Sequence, residues 1–181
     1  MSKKVLIAIA DGTEELEAVT IIDTLRRAQA DVTIASVGDR HITASRKTKI
    51  VADCLIADCV NQDYDLIVLP GGMPGAEYLR DCRELKKLLG KQSATGKLYA
   101  AICASPAVVL QAHGLLEGKK ATSYPSMKGE IDNWQDEKVV VDGNCVTSQG
   151  PGTALEFSLK LVELLYGSQK AAEIAKAMLA S

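Results

Sequence analysis

Three short apolar runs, KVLIAIA at Lys4–Ala10, DLIVL at Asp65–Leu69 and KLYAAI at Lys97–Ile102, lack the alternation of a strand with one wet face. Such strands are buried on both sides, and parallel neighbours need long crossovers that return across the sheet. The intervening segments have the pattern for that task. Glu14–Gln29 carries Leu16, Val19, Ile22 and Leu25 at three-residue steps, with Asp11 or Thr13 placed to cap it. Arg83–Ser93 and Ala104–Gln111 read as helices, as do Gly152–Tyr166 and Gln169–Leu179, with Gly167 ending the former. Val32–Ser36 is a further strand, followed by a VGD turn and by extended stretches near Ile42 and over Thr48–Ala52. VVVDGNCVT reads as a hairpin, turned at Asp142-Gly143 or Gly143-Asn144. The expectation is one domain over residues 1–181, a three-layer α/β sandwich around a mainly parallel sheet.

Composition narrows the partners. The formal net charge is −2, and the basic pairs are short and scattered, so neither nucleic acid nor an anionic membrane is expected. No apolar run reaches the roughly 18 residues of a membrane span. The N-terminus enters KVLIAIA directly and is read as a strand, not a signal peptide. Five cysteines form an odd set without the close pairing of a disulfide scaffold, which points to a reducing, cytoplasmic compartment. Neither CxxC nor a histidine pair at helical spacing occurs, so no metal site is expected.

In parallel sheets, chemistry collects outside the carboxyl ends of the strands. Three segments qualify here: DGTEELEAV after the first strand, PGGMPG after DLIVL, and Cys103 at the strand-to-helix turn of YAAICASPAVV. The free N–H groups of a helix start favour a thiolate at Cys103; packing as a small core residue is the alternative use of a free cysteine. Glu14 and Glu15 read as first-turn charges that complement the helix dipole. Glu17 lies nearer the apolar stripe, where burial would raise its pKa and let it pass protons. Gly71-Gly72 permits close backbone approach, with bare N–H groups aimed at an oxyanion; it lacks the spacing of a dinucleotide site.

Taken together, EELEAV, DLIVLPGGMPGAEYL, AAICASPAVVL and TSQGPGTALEF resemble the DJ-1/ThiJ/PfpI superfamily, its DJ-1 branch in particular, in register along essentially the whole chain. The resemblance implies a flavodoxin-like fold, a homodimer and no cofactor. It implies an oxidation-prone nucleophile on an elbow at Cys103, a buried glutamate bonded to it at Glu17, and oxyanion-binding amides at Gly72 and Ala104, with Gly71 shaping the loop. Arg27 and Arg46 fall where the family has arginines near the dimer interface and site. The chain departs from the family in two places: Tyr124 stands where relatives often place a histidine, and Gln149 stands for an arginine of some relatives. His41 and His113 are the only histidines, and neither fits the pattern of the cysteine glutaminases that share the elbow.

The activity implied is that of a glutathione-independent glyoxalase, converting methylglyoxal to lactate, together with removal of early carbonyl adducts from proteins. A different class is implied as well, an oxidative-stress sensor with chaperone behaviour that signals through oxidation of Cys103 to sulfinate. Both need an acidic thiol. Lowering a thiol pKa from about 8.5 to about 5.5 takes about 4 kcal/mol. A helix end supplies only about 0.3–2 kcal/mol, so a charge-assisted hydrogen bond from protonated Glu17, worth about 1.5–3 kcal/mol, is needed as well. Of the other cysteines, Cys59 and Cys145 are read as packing residues and Cys82 as a surface residue. Trp134 falls in a polar loop and is assigned no role.

Overall fold

The computed structural model describes residues 2–180. Its strands and helices follow one another as β1 (Lys4–Ile9), α1 (Glu15–Arg27), β2 (Asp31–Ser36), the short hairpin β3 (His41–Thr43) and β4 (Lys49–Val51), and β5 (Cys54–Leu55). Then come β6 (Leu66–Leu69), α2 (Gly75–Asp81), α3 (Arg83–Ala94), β7 (Leu98–Ile102), β8 (Val139–Asp142), β9 (Cys145–Ser148), α4 (Ala154–Tyr166) and α5 (Ser168–Ala177). Seven strands form one sheet in the order β5-β2-β1-β6-β7-β9-β8. All pairings in it are parallel except β8 with β9, the expected hairpin, which turns at Gly143-Asn144.

The apolar runs are continuous because both sheet faces are covered. Within β1, Val5, Ile7 and Ile9 enter a cluster with Ile21 and Leu25 of α1 and Phe157, Leu161 and Val162 of α4. Leu6 and Ala8 point the other way, into a cluster with Leu79 of α2 and Leu85, Leu88 and Leu89 of α3. This period of two sorts one strand between two cores and makes the three layers. Among the described residues no helix is long and apolar enough to cross a membrane.

Several local expectations are corrected. The stripe of α1 is split: Ile22 and Leu25 are buried, while Leu16 and Val19 are half exposed. Neither Asp11 nor Thr13 caps α1. Thr13 Oγ1 accepts the Ala10 N–H at 3.0 Å, and Asp11 Oδ1 accepts the Thr43 N–H at 2.7 Å, so both tie loops together instead. Helix α2 had no sequence expectation of its own; its first residues, Gly75 and Ala76, offered no apolar period. The segment after Cys103 winds as a π-helix over Pro106–Gln111 rather than as a regular α-helix from Ala104. Trp134 is no bystander: it packs against the second core, and Ala121 and Trp134 form an isolated bridge.

Candidate active site

Backbone geometry places the elbow. Cys103 follows β7 directly and has φ of +65°, a left-handed conformation that costs a side-chain-bearing residue of order 1–2 kcal/mol. Two hydrogen bonds hold it there: its N–H donates to Ser148 O of β9 at 3.0 Å, and its carbonyl accepts the Tyr124 N–H at 2.8 Å. Next to it, Ser105 Oγ donates to Pro70 O at 2.5 Å and links the elbow to the loop after β6. Both loops therefore lie at the carboxyl edge of the sheet, with β1 between β2 and β6 bringing the start of α1 to the same edge.

Glycine is required where these loops meet. A Cβ on Gly71 would stand 2.6 Å from Cys103 Cβ and 2.9 Å from Glu17 Oε2. A Cβ on Gly72, where φ is +92°, would overlap the backbone of Gly12 and Glu14. The close approach lets the N–H groups of Gly72 and Ala104 both point at the Cys103 thiol. The two amides expected to bind an oxyanion are thus gathered at one sulfur, with Gly71 shaping their loop.

Glu17 is wholly buried, and the Gly71 N–H donates to its Oε2 at 2.7 Å. Among the described residues its Oε1 is buried with no hydrogen-bond partner. Burial, helped by the charge of Glu14, raises the Glu17 pKa to about 7 against the opposing Gly71 N–H and Cys103 thiol. Burial, and after it the Glu17 carboxyl beside it, push the Cys103 thiol up to about 12 against the Gly72 and Ala104 N–H groups. The pair therefore carries one negative charge and not two. The two shifts leave the thiol neutral at pH 7 and put that charge on Glu17, an order that the donors around the pair oppose. Two N–H groups face the sulfur and one faces the carboxyl, and Oε1 without a donor is the oxygen on which a proton is least costly. With the proton on Glu17, its repulsion of the thiolate becomes a hydrogen bond to it. An acidic Cys103, as the sequence analysis expects, would need that exchange, because burial opposes ionisation of the thiol.

Cys103 opens into a cavity of about 470 Å³ lined also by Glu14, Ser45, Arg46, Gly72, Ala104 and Tyr124. Met73 and Pro151, from segments the sequence singles out, and Ser126 and Met127 complete its wall. Tyr124 is half exposed at the mouth. Arg27 is elsewhere, on the exposed side of α1, paired with Asp23 at 2.7 Å. Neither histidine lines the cavity, and Gln149 is tied to Asp136 at 3.1 Å away from it. Cys59 and Cys145 are buried, as expected, whereas Cys82 is half-buried at the junction of α2 and α3.

Glu14 and Glu15 do more than complement a dipole. Ser45 Oγ lies 2.6 Å from Glu14 Oε2 and 3.0 Å from Glu15 Oε2. Glu15 also accepts the N–H groups of Arg46, at 2.9 and 3.0 Å, and of Thr48, at 3.3 Å. This carboxylate holds the β3–β4 turn, and with it Ser45 and Arg46, against the cavity.

The model of the DJ-1/PfpI family matches residues 3–164. Protein DJ-1 homolog B of Arabidopsis thaliana is 50% identical over 179 residues, which are 97% of this chain and 41% of that protein. The chain thus spans less than half of that relative's length. The glutathione-independent glyoxalase DJR-1.2 of Caenorhabditis elegans is 35% identical over 170 residues, 92% of this chain and 90% of that one. Among solved structures, oxidized Toxoplasma gondii DJ-1 superposes with a TM-score of 0.98 at 49% identity, covering 99% of this chain and all of that chain.

The Glu15 clamp has a pH signature. Partial burial works to raise its pKa, but the Arg46 N–H and the hydroxyl and amide donors around it prevail and bring it down to about 2. A carboxylate with a lowered folded pKa stabilises fully above its unfolded value and loses that contribution as pH falls through the folded one. Hydrogen exchange should find the Arg46 and Thr48 amides protected at pH 5 and progressively unprotected toward pH 2. In Glu15→Ala the protection should be missing at every pH. Equal protection of the variant and the parent at pH 5 would show that the turn holds itself.

Proposed function

The chain belongs to the DJ-1/PfpI family, and on that premise we propose that it is a cysteine-dependent glyoxalase that converts methylglyoxal to lactate without glutathione or another cofactor. One observation carries this reading: a wholly buried carboxyl with an unpartnered oxygen lies beside a thiol that two backbone N–H groups face. The Cys103 sulfur attacks the aldehyde carbon of methylglyoxal, and the C–S bond forms as the carbonyl π electrons move to oxygen. The Gly72 and Ala104 N–H groups face the charge that develops there. Glu17 supplies the proton that makes the hemithioacetal hydroxyl and becomes a carboxylate. It then takes the hydrogen from that same carbon, and the resulting enediol receives the proton back at the neighbouring carbon. The product is a lactoyl thioester, which water hydrolyses to lactate and free Cys103. Among the described residues no histidine lines the cavity, and Glu17, buried beside Cys103, is the group to which this mechanism assigns both proton transfers.

The same donors support a second role, as a sensor of oxidative stress. A Cys103 sulfinate would find the Gly72 and Ala104 N–H groups and protonated Glu17 ready for its oxygens, which favours a stop at that oxidation level.

Purified protein given methylglyoxal without glutathione should release lactate, and Cys103→Ser should release none. Glu17→Gln should lower the turnover number by about 100-fold or more, the usual loss for a general base. Lactate release by Glu17→Gln at the rate of the parent would remove Glu17 from the mechanism.

We also propose a cytoplasmic homodimer, joined through α1. Leu16 and Val19 are half exposed on that helix, and Arg27 continues its exposed side. Apolar side chains at these positions are unusual on a face that stays wet. Light scattering at micromolar concentration should give twice the chain mass of 19.3 kDa. Leu16→Lys with Val19→Lys should return the single-chain value. A single-chain mass for the parent would overturn the assignment.

A further inference from the structure

At the far edge of the sheet from the elbow, two other thiols meet. Cys54 begins β5, and Cys59 ends the 3₁₀ turn Ile56–Cys59 that follows it. Their sulfurs are 3.5 Å apart, and the Cys59 thiol also lies 3.7 Å from Leu55 O. Cys54 is half-buried, whereas Cys59 has no exposure at all. From the geometry we propose that Cys54 and Cys59 form a reversible intramolecular disulfide under hydroperoxide stress, a modification site separate from Cys103.

The two positions divide the work. The accessible Cys54 sulfur attacks a peroxide oxygen; the S–O bond forms, the O–O bond breaks and water or an alcohol leaves. Cys54 is then a sulfenic acid. The Cys59 sulfur, already in contact from the protein side, attacks the Cys54 sulfur, the S–O bond breaks and a water leaves. In sum, two thiols and one hydroperoxide give a disulfide and two molecules of water, or one of water and one of alcohol. An S–S bond measures about 2.05 Å, so the sulfurs must close by about 1.5 Å. Cys54 sits on a two-residue edge strand whose only sheet partner is β2, which leaves room for that adjustment.

Other uses of the pair fit less well. A structural zinc site needs four ligands, and among the described residues no group of three or more His, Cys, Asp or Glu side chains is placed to hold a metal ion. Burial, then the Cys59 thiol and the Asp58 and Asp53 carboxylates, hold the Cys54 thiol up at about 11. That slows the first step at neutral pH and sets the response to sustained oxidant. The site is also independent of the proposed glyoxalase. In sheet order β5 stands four strands from β7, about 19 Å at the usual strand spacing. A disulfide is undone by cellular thiols, whereas sulfinate at the elbow is in general not.

Cleavage after Lys49 and Arg80 leaves Cys54 and Cys59 on one peptide that holds no other cysteine. After a hydrogen peroxide titration, quenching with an alkylating agent and digestion without reductant, this peptide should lose two hydrogens in mass and both alkylation sites. Dithiothreitol should restore both. In Cys59→Ser, Cys54 should remain a sulfenic acid that dimedone captures, a product the parent does not accumulate. The proposal is overturned if both sites stay alkylatable in folded parent protein while Cys103 is oxidised. It is overturned equally if Cys54 gains two or three oxygens in the parent, since Cys59 would then have failed to intercept the sulfenic acid.

Discussion

The contact of two buried acids, Glu17 and Cys103, is the constraint on which the proposed chemistry depends. Burial raises the pKa of both, and a charge on one opposes a charge on the other, so that near neutral pH the pair holds at most one. Donor placement favours that charge on the sulfur. The sulfur faces the N–H groups of Gly72 and Ala104, while the carboxyl has only the Gly71 N–H and leaves Oε1 without a partner. A proton on Oε1 removes an uncompensated buried charge and creates a third donor for the thiolate.

The surrounding fold exists in the form that permits this contact. The sheet is wound so that the loops after β1 and β6 and the elbow after β7 share one edge. Their approach is so close that Gly71, Gly72, Gly75 and Gly12 leave no room for a Cβ. The strain of Cys103 in a left-handed conformation is offset by hydrogen bonds to Ser148 and Tyr124, one from each side of the elbow. Loss of any one loop would separate the carboxyl from the thiol.

Much of this was legible in the sequence because it depends on local pattern. Continuous apolar runs gave the central strands, Asp142-Gly143-Asn144 marked the hairpin, and the strand-to-turn position of Cys103 singled out the elbow. Glu17 was separable from Glu14 and Glu15 because it lies nearer the apolar stripe of α1, and it alone of the three is wholly buried. What stayed hidden depends on contacts distant in the chain. Glu15 reaches the Arg46 and Thr48 amides some 30 residues away, which no helix-start rule foretells. Leu16 and Val19 share the period of buried residues, yet the helix presents them outward, because periodicity marks an apolar face without telling whether the chain's own core covers it. Trp134 sits among polar neighbours in sequence and against the core in space. The burial that opposes ionisation at Cys103 was likewise invisible, and it adds to the stabilisation that the sequence reading already asked of Glu17.

The direction of a single pKa shift shows where the charge of that pair resides. Thiolate absorbance in the ultraviolet, followed against pH for the parent and for Glu17→Gln and Glu17→Ala, reports the ionisation of Cys103, with Cys103→Ser subtracting the other four thiols. If protonated Glu17 donates to the thiolate, the Cys103 pKa rises modestly in Glu17→Gln, which keeps a weaker donor, and further in Glu17→Ala, which keeps none. A fall in the Cys103 pKa in both variants would contradict the account, because it would mean that the parent stores its charge on Glu17 and that the carboxylate suppresses the thiol it was thought to activate.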